Sequence, residues 1–198
     1  MEYKKTLNLP QTDFPMRAGL VQREPERLAK WYADSLYEQI QKRREGAERF
    51  LLHDGPPFAN GDVHIGTALN KILKDFILKY QTMRGKHVPY VPGWDCHGLP
   101  IEFKVTQQMR KDGNPDATPA AIRKACEEYA LGFIPTQREQ FKRLGVLGEW
   151  DNPYLTLNPA YEAEELRLFA DLVEKGFVYR GKKPVYWSCL LYTSPSPR

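Results

Sequence analysis

No stretch of this chain is apolar for long enough to cross a bilayer, and its first residues carry no apolar signal segment. A membrane-embedded protein is therefore not expected. Cysteine is scarce: Cys96, Cys126 and Cys189 are odd in number and lie at wide, irregular spacing. That pattern argues against a disulfide framework and offers no CxxC pair for zinc, so free thiols in a reducing cytoplasm and no metal site are expected. Two familiar phosphate-binding patterns are also missing, the G-x-x-x-x-G-K-[ST] loop and the G-x-G-x-x-G dinucleotide turn. There is no internal repeat. Charge is not strongly of one sign: the net value is +4 and the pI about 8.9. This permits contact with a polyanion without requiring one.

What is present is the composition of a globular protein. Charged residues make up 27% and hydrophobic residues 41% of 198 positions, enough for a sizeable core in one domain or in the opening part of something larger. Residues 1–20 read as extended, with prolines in "NLPQTDFPMRAGL". A helix is predicted from Glu24 to Arg44, with Pro25 in its first turn and Gly46 stopping it. "RFLLH" (Arg49 to His53) reads as a short strand. From Ile65 to Met83, the residues Leu69, Ile72, Leu73, Phe76, Ile77 and Tyr80 recur at three- and four-residue intervals, which predicts a helix with Lys71, Lys74 and Lys79 toward solvent. "HVPYVPG" (His87 to Gly93) reads as a second strand. Asp112 to Thr118 is a polar turn. Helices are expected from Pro119 to about Leu131, from Gln137 to Leu144 and from Pro159 to Lys175, the last with Glu162, Glu164 and Glu165 near its positive end. "GFVYRGKKPVYWS" reads as two short strands joined at Arg180 to Lys183. Strand, loop, helix, strand is the opening of a βαβ unit and favours a parallel sheet.

The loop between the first strand and its helix is dense in special residues: "LHDGPPFANGDVHIGTALNKILKD", Leu52 to Asp75. It leaves a strand at the carboxyl end, the edge of an open α/β sheet where ligands bind. Gly55 lets the backbone approach a ligand, and Pro56 and Pro57 stiffen it. His64 and Thr67, three apart at the helix start, can point to one side, and the helix end offers free N–H groups to phosphate. Gly66 between them leaves room for a flat group against the backbone. Taken alone, the loop is read equally well as a rigid proline turn with surface histidines or as a nucleotide site. A second Gly/Pro-framed loop, "YVPGWDCHGLPIE" from Tyr90 to Glu102, places Trp94, Asp95 and His97 at another strand end. Asp95 suits an ammonium group, and His97 suits a polar wall or an oxyanion partner; the competing reading is a buried structural tryptophan with a capping Asp. Two such loops in one chain favour a shared pocket.

Together, "DGPPFANGDVHIGTALNKILKD", "VPGWDCHGLPIE" and "GKKPVYWS" resemble, in order and spacing, the amino-terminal part of bacterial-type isoleucyl-tRNA synthetases, which are class I aminoacyl-tRNA synthetases. The resemblance covers roughly residues 1–188. It implies an α/β fold: the first half of a Rossmann-like parallel-sheet nucleotide-binding domain over 49–188, preceded by an N-terminal helical extension over 1–48. It implies ATP, with Mg²⁺, as a substrate, and isoleucine and tRNA(Ile) as the other partners of a monomeric cytoplasmic enzyme. By this resemblance His64 and Thr67 approach the ATP phosphates and Gly66 the adenosine. Gly55 and Pro56 line the amino-acid side, and Asp95 holds the substrate ammonium with His97 nearby. The family carries its second motif histidine where Thr67 stands. One methylene separates isoleucine from valine, worth about 1–3 kcal/mol, so a hydrolytic editing domain is expected in the full-length enzyme. That domain, the second ATP-closing loop, the anticodon-binding helices and a zinc module are all expected outside this chain, which is expected to be inactive alone. The last ten residues, "CLLYTSPSPR", break the pattern and are expected to be a foreign or disordered tail, 189–198. A binding module without chemistry is the alternative from another class, resting on the net charge and on clusters such as Lys42-Arg43-Arg44.

Overall fold

The computed structural model describes residues 3–8, 12–13, 17–114 and 116–184. After a 3-10 turn at Tyr3–Thr6 come α1 (Leu20–Ala33), α2 (Leu36–Arg43), α3 (Ile65–Met83), β1 (Gly93–Trp94), α4 (Leu99–Lys111), α5 (Pro119–Arg143), β2 (Tyr154–Leu155) and α6 (Pro159–Glu174). The chain divides into two compact units, Met1–Leu155 and Thr156–Arg198. α6 belongs to the second. It begins at Asn158, whose side chain accepts from the Ala160 N–H at 2.9 Å, with Pro159 in the first helical position.

In the first unit the sheet is parallel, as the βαβ reading requires. Gly93 pairs with Tyr154 and Trp94 with Leu155. Two isolated parallel bridges, Arg49 with His87 and Phe58 with Asp95, lie on the other side of the same segment. Segment 87–95 thus runs between residues 49–58 and β2, with N-terminal helices ahead of it. This is the start of a Rossmann-like fold behind a helical extension. The predicted strands at 49–53 and 87–93 shrink to these bridges and two-residue pairings, because prolines at 56, 57, 89 and 92 remove ladder donors.

The core gathers on Trp94, which is fully buried and tilted against Trp150 at 6.2 Å; Trp150 in turn stacks on Phe141 at 6.0 Å. α5 contributes Ala130, Ile134, Gln137 and Phe141, a stripe at helical spacing. Gln137 is buried but satisfied. Its carbonyl accepts from the Trp94 indole N–H at 2.9 Å, and its amide donates to the Phe58 and Gly61 carbonyls at 3.1 and 2.8 Å. One side chain therefore ties the 54–63 loop to the tryptophan of the second loop.

Several expected boundaries differ from the structure. The helix expected over Glu24–Arg44 is two helices, broken at Ser35, which takes a left-handed conformation at φ 48°. The first of them starts at Leu20, so Pro25 lies inside it rather than in its first turn; the donor it lacks would have served Val21, which faces solvent. The two helices expected around residues 131 and 137 are one, α5, which runs through Pro135 on its exposed side. α4 was not anticipated at all. Among the described residues of "GFVYRGKKPVYWS" there is no strand, and the rest of that segment, like the tail 189–198, lies outside the described residues. No described helix is long and apolar enough to cross a membrane.

The largest correction concerns α3. Its bounds are those predicted, but its facing is reversed. Lys71, Asp75 and Leu78 are the buried residues, while Leu69, Leu73, Phe76, Ile77 and Tyr80 are exposed. None of the three lysines expected in solvent is fully exposed. Lys71 is buried against Asp54, and Lys74 reaches the same carboxylate at 2.7 Å. Lys79 bridges Asp75 at 2.5 Å and the Gly145 carbonyl at 2.9 Å. The polar face turns inward because its partners wait there.

Candidate active-site cleft

A cleft of about 300 Å³ opens at the amino end of α3. Gly55, Pro56 and Pro57 form one lip; His64, Gly66, Thr67, Asn70 and Lys71 form the opposite wall and floor. The structure thus brings together five of the sequence-predicted residues: Gly55, Pro56, His64, Gly66 and Thr67. Asp95 and His97 do not line this cleft. They are nevertheless joined to its lip through the backbone. The Asp95 N–H donates to the Pro57 carbonyl at 2.8 Å, and the Ala59 N–H donates to the Asp95 carbonyl at 2.9 Å. Asp95 is half-buried, and its Oδ1 accepts the His97 N–H at 3.1 Å, an Asx-type turn that shapes the second loop.

His64 is the N-cap of α3. Its Nδ1 accepts from the Gly66 and Thr67 N–H groups at 3.1 and 3.3 Å. A ring nitrogen that accepts two N–H groups carries no proton, so in the neutral ring the proton sits on Nε2. Nε2 lies 3.0 Å from Thr67 Oγ1 and donates to it. The Thr67 hydroxyl is then left to offer its own proton. The Thr67 hydroxyl thus accepts from His64 and keeps its own proton to donate. His64 spends two of the helix's free N–H groups on itself, and a phosphate here would meet the remaining amides and the Thr67 hydroxyl.

Beneath the lip, Asp54 is completely buried. Burial alone would raise its carboxyl, but Lys71, Lys74 and the Gly93 N–H at 3.1 Å hold it below the ordinary carboxylate range. Burial pushes the Lys71 ammonium down, with Asp54 opposing that shift. Tyr90, also buried, accepts from Lys71 at 3.2 Å, and its phenol is pushed up by burial and by Asp54. The Asp54 carbonyl accepts from the Tyr154 hydroxyl on β2. Gly93 faces Tyr154 so closely that any Cβ there would overlap the ring. Sequence reasoning missed Lys71, Lys74 and Asn70 as site residues. The signal available was their spacing: 64, 67, 71 and 74 fall on one helix face. Among the described residues, no group of three His, Cys, Asp or Glu side chains is placed to hold a metal ion.

A parallel α/β opening with a cleft at a helix amino terminus has the arrangement of the first half of a Rossmann-like nucleotide-binding domain. The model of the family described as tRNA synthetases class I (I, L, M and V) matches residues 26–196, and the chain belongs to that family. It is 58% identical over 187 residues to isoleucine–tRNA ligase of Kosmotoga olearia and, over the same length, to that of Thermotoga maritima; the figure for Natranaerobius thermophilus is 54%. Each alignment covers 94% of this chain and 20% of the relative, so the chain spans about a fifth of the length of these curated relatives. Among solved structures it is similar to a ternary complex of Agrobacterium radiobacter K84 agnB2 LeuRS with tRNA and LeuAMS. The TM-score there is 0.64 at 27% identity, covering 90% of this chain and 20% of that one.

Proposed function

We propose that the chain is the amino-terminal part of an isoleucine–tRNA ligase and supplies one wall of its amino-acid activation site. The observation that carries the reading is the cleft itself, with a glycine-proline lip facing a capped helix end, in a chain so similar to isoleucine–tRNA ligases. The reaction is attack of an isoleucine carboxylate oxygen on the α-phosphorus of Mg²⁺-bound ATP. Pyrophosphate leaves, and the acyl group then passes to the terminal ribose of tRNA(Ile). The first step needs in-line positioning and charge stabilisation more than covalent help. In this reading the Thr67 hydroxyl and the N–H groups left free at the start of α3 meet phosphate oxygens, and His64 orients Thr67. Gly66 lies against the adenosine. Gly55 and Pro56 border the amino acid, and Asp95, with His97 beside it, binds its ammonium group from the neighbouring loop. Editing, tRNA binding and any zinc module are assigned to the rest of a longer, cytoplasmic, monomeric protein. The chain alone is expected to form no adenylate.

The test is isoleucine-dependent exchange of pyrophosphate into ATP by the full-length protein that carries this segment. Exchange with isoleucine well above leucine, lost in His64→Ala and Asp95→Ala, is the expected result. Exchange that survives both substitutions, or that prefers another amino acid, refutes the reading.

A further inference from the structure

One carboxylate beneath the cleft lip faces two ammonium groups a single helical turn apart. Lys71 is enclosed: it is 1% exposed, with its Nζ 5.1 Å from the Phe141 ring and bonded to Asp54 and Tyr90. Lys74 is not. Its side chain retains 16% exposure, and its Nζ spans two acceptors, Asp54 Oδ1 at 2.7 Å and the carbonyl oxygen of Gly55 at 3.1 Å. Lys71 and the Gly93 N–H already answer the Asp54 charge. What Lys74 adds is a hold on the Gly55 carbonyl, and Gly55 with Pro56 is the lip of the cleft. A charge-assisted hydrogen bond from α3 to that carbonyl fixes the tilt of the lip relative to the same helix whose first turn forms the opposite wall.

We propose that Lys74 is a positioning residue for substrate: by bridging Asp54 and the Gly55 carbonyl it sets the lip at one height over the helix end and so governs how tightly the amino acid seats. The proposal rests on the reading of this cleft as the isoleucine and ATP site. It separates Lys74 from a purely structural lysine, because the lip borders the amino acid and not the phosphates. Lys74→Met should therefore disturb one substrate and spare the other.

The experiment uses the full-length protein with Lys74→Met and Lys74→Arg, read by pyrophosphate exchange and by amide hydrogen exchange of segment 54–61. Lys74→Met should raise KM for isoleucine about tenfold, as loss of one charge-assisted hydrogen bond implies. KM for ATP should stay within about twofold of wild type on the same reasoning that the phosphate wall is untouched. Lys74→Arg, which keeps the cation and several donors, should recover most of the loss, and segment 54–61 should exchange faster in Lys74→Met only. Equal changes in both KM values, or an unchanged isoleucine KM, overturn the proposal. If the wild-type protein shows no isoleucine-dependent exchange, the functional reading fails by itself. The amide measurement then decides the positioning role: unaltered protection of 54–61 in Lys74→Met overturns it, and selective loss upholds it.

Discussion

Replacing Lys71 by Met tests the buried charge pair with the least change in shape. The methionine stem fits the channel between Tyr90 and Phe141 and removes only the ammonium. Breaking a buried pair from one side costs about 3–5 kcal/mol, because a charge is left without its partner. Here Asp54 keeps Lys74 at 2.7 Å and the Gly93 N–H at 3.1 Å, so the cost should sit near the lower end, about 3 kcal/mol. Asp54→Asn should be worse. It leaves Lys71 buried as a cation with only neutral acceptors, the Tyr90 hydroxyl and the new amide oxygen, and Lys74 as a like-charged neighbour, so about 5 kcal/mol is expected. The double variant restores neutrality around Lys74 and should be less damaged than the two single costs added, with a coupling of at least about 1 kcal/mol. Urea denaturation of the chain, with Lys74 intact throughout, measures all three. The pH dependence has a fixed sign. The Asp54 carboxyl is depressed in the folded state, so its contribution is present above its unfolded pKa, about 3.9, and is lost as pH falls through the folded value. The gap between wild type and Asp54→Asn should therefore narrow only below about pH 4. Single costs that simply add, or a gap that closes near neutrality, would refute the reasoning.

Three further outcomes follow from the same geometry. Gly93→Ala places a methyl inside the Tyr154 ring and must drive that ring off the Asp54 carbonyl, so a loss of about 1–3 kcal/mol is expected in the same denaturation assay. Leu73→Glu, on the exposed apolar stripe of α3, should change the stability of the chain by no more than about 0.5 kcal/mol while lowering its binding of an apolar dye. Thr67→Val keeps the shape but removes the hydroxyl, so adenylate formation by the full-length protein should fall while Thr67→His retains it; unchanged activity in Thr67→Val would remove the hydroxyl from the reaction.

The parts of the fold legible in the sequence are those set by local rules. α3 has the bounds its periodicity predicts, because apolar spacing is a local signal. The two Gly/Pro-framed loops, expected to share a pocket, lie side by side through the Phe58–Asp95 bridge, but Asp95 and His97 do not line the cleft. What local rules cannot carry is the identity of a distant partner. The apolar stripe of α3 argued that Lys71 and Lys74 face water; Asp54, seventeen and twenty residues away, reverses that, and the apolar stripe is left outside. Two helices were expected, to about Leu131 and from Gln137, but the α5 stripe from Ala130 to Phe141 packs continuously and outweighs the one hydrogen bond that Pro135 removes on the exposed side. Ser35 in a left-handed conformation carries no sequence signal at all, and α4 announces itself weakly, with Gly98 as an uncapped start.

The reversal of α3 explains why one contiguous segment holds so much of the cleft. Residues 64, 67, 71 and 74 are separated by three, four and three positions, the spacing of a single stripe along a helix. At 1.5 Å per residue the stripe is about 15 Å long. Its first half, His64 and Thr67, caps the helix end, with His64 Nδ1 accepting two N–H groups and Nε2 turned to the Thr67 hydroxyl. Its second half, Lys71 and Lys74, fixes the loop that enters the helix, by gripping Asp54 and Gly55 where that loop begins. The loop from 54 to 63 is therefore closed at both ends by the same helix face, through the His64 cap at one end and the lysine clamp at the other. A loop tied in this way cannot move its lip without moving the helix end, so the lip and the helix-end wall keep their separation. Such fixed separation is what a reaction that depends on alignment requires. It also accounts for the polar face being the buried one: the constraint that shapes the cleft has to lie between the helix and the loop, and the apolar stripe is displaced to the opposite side.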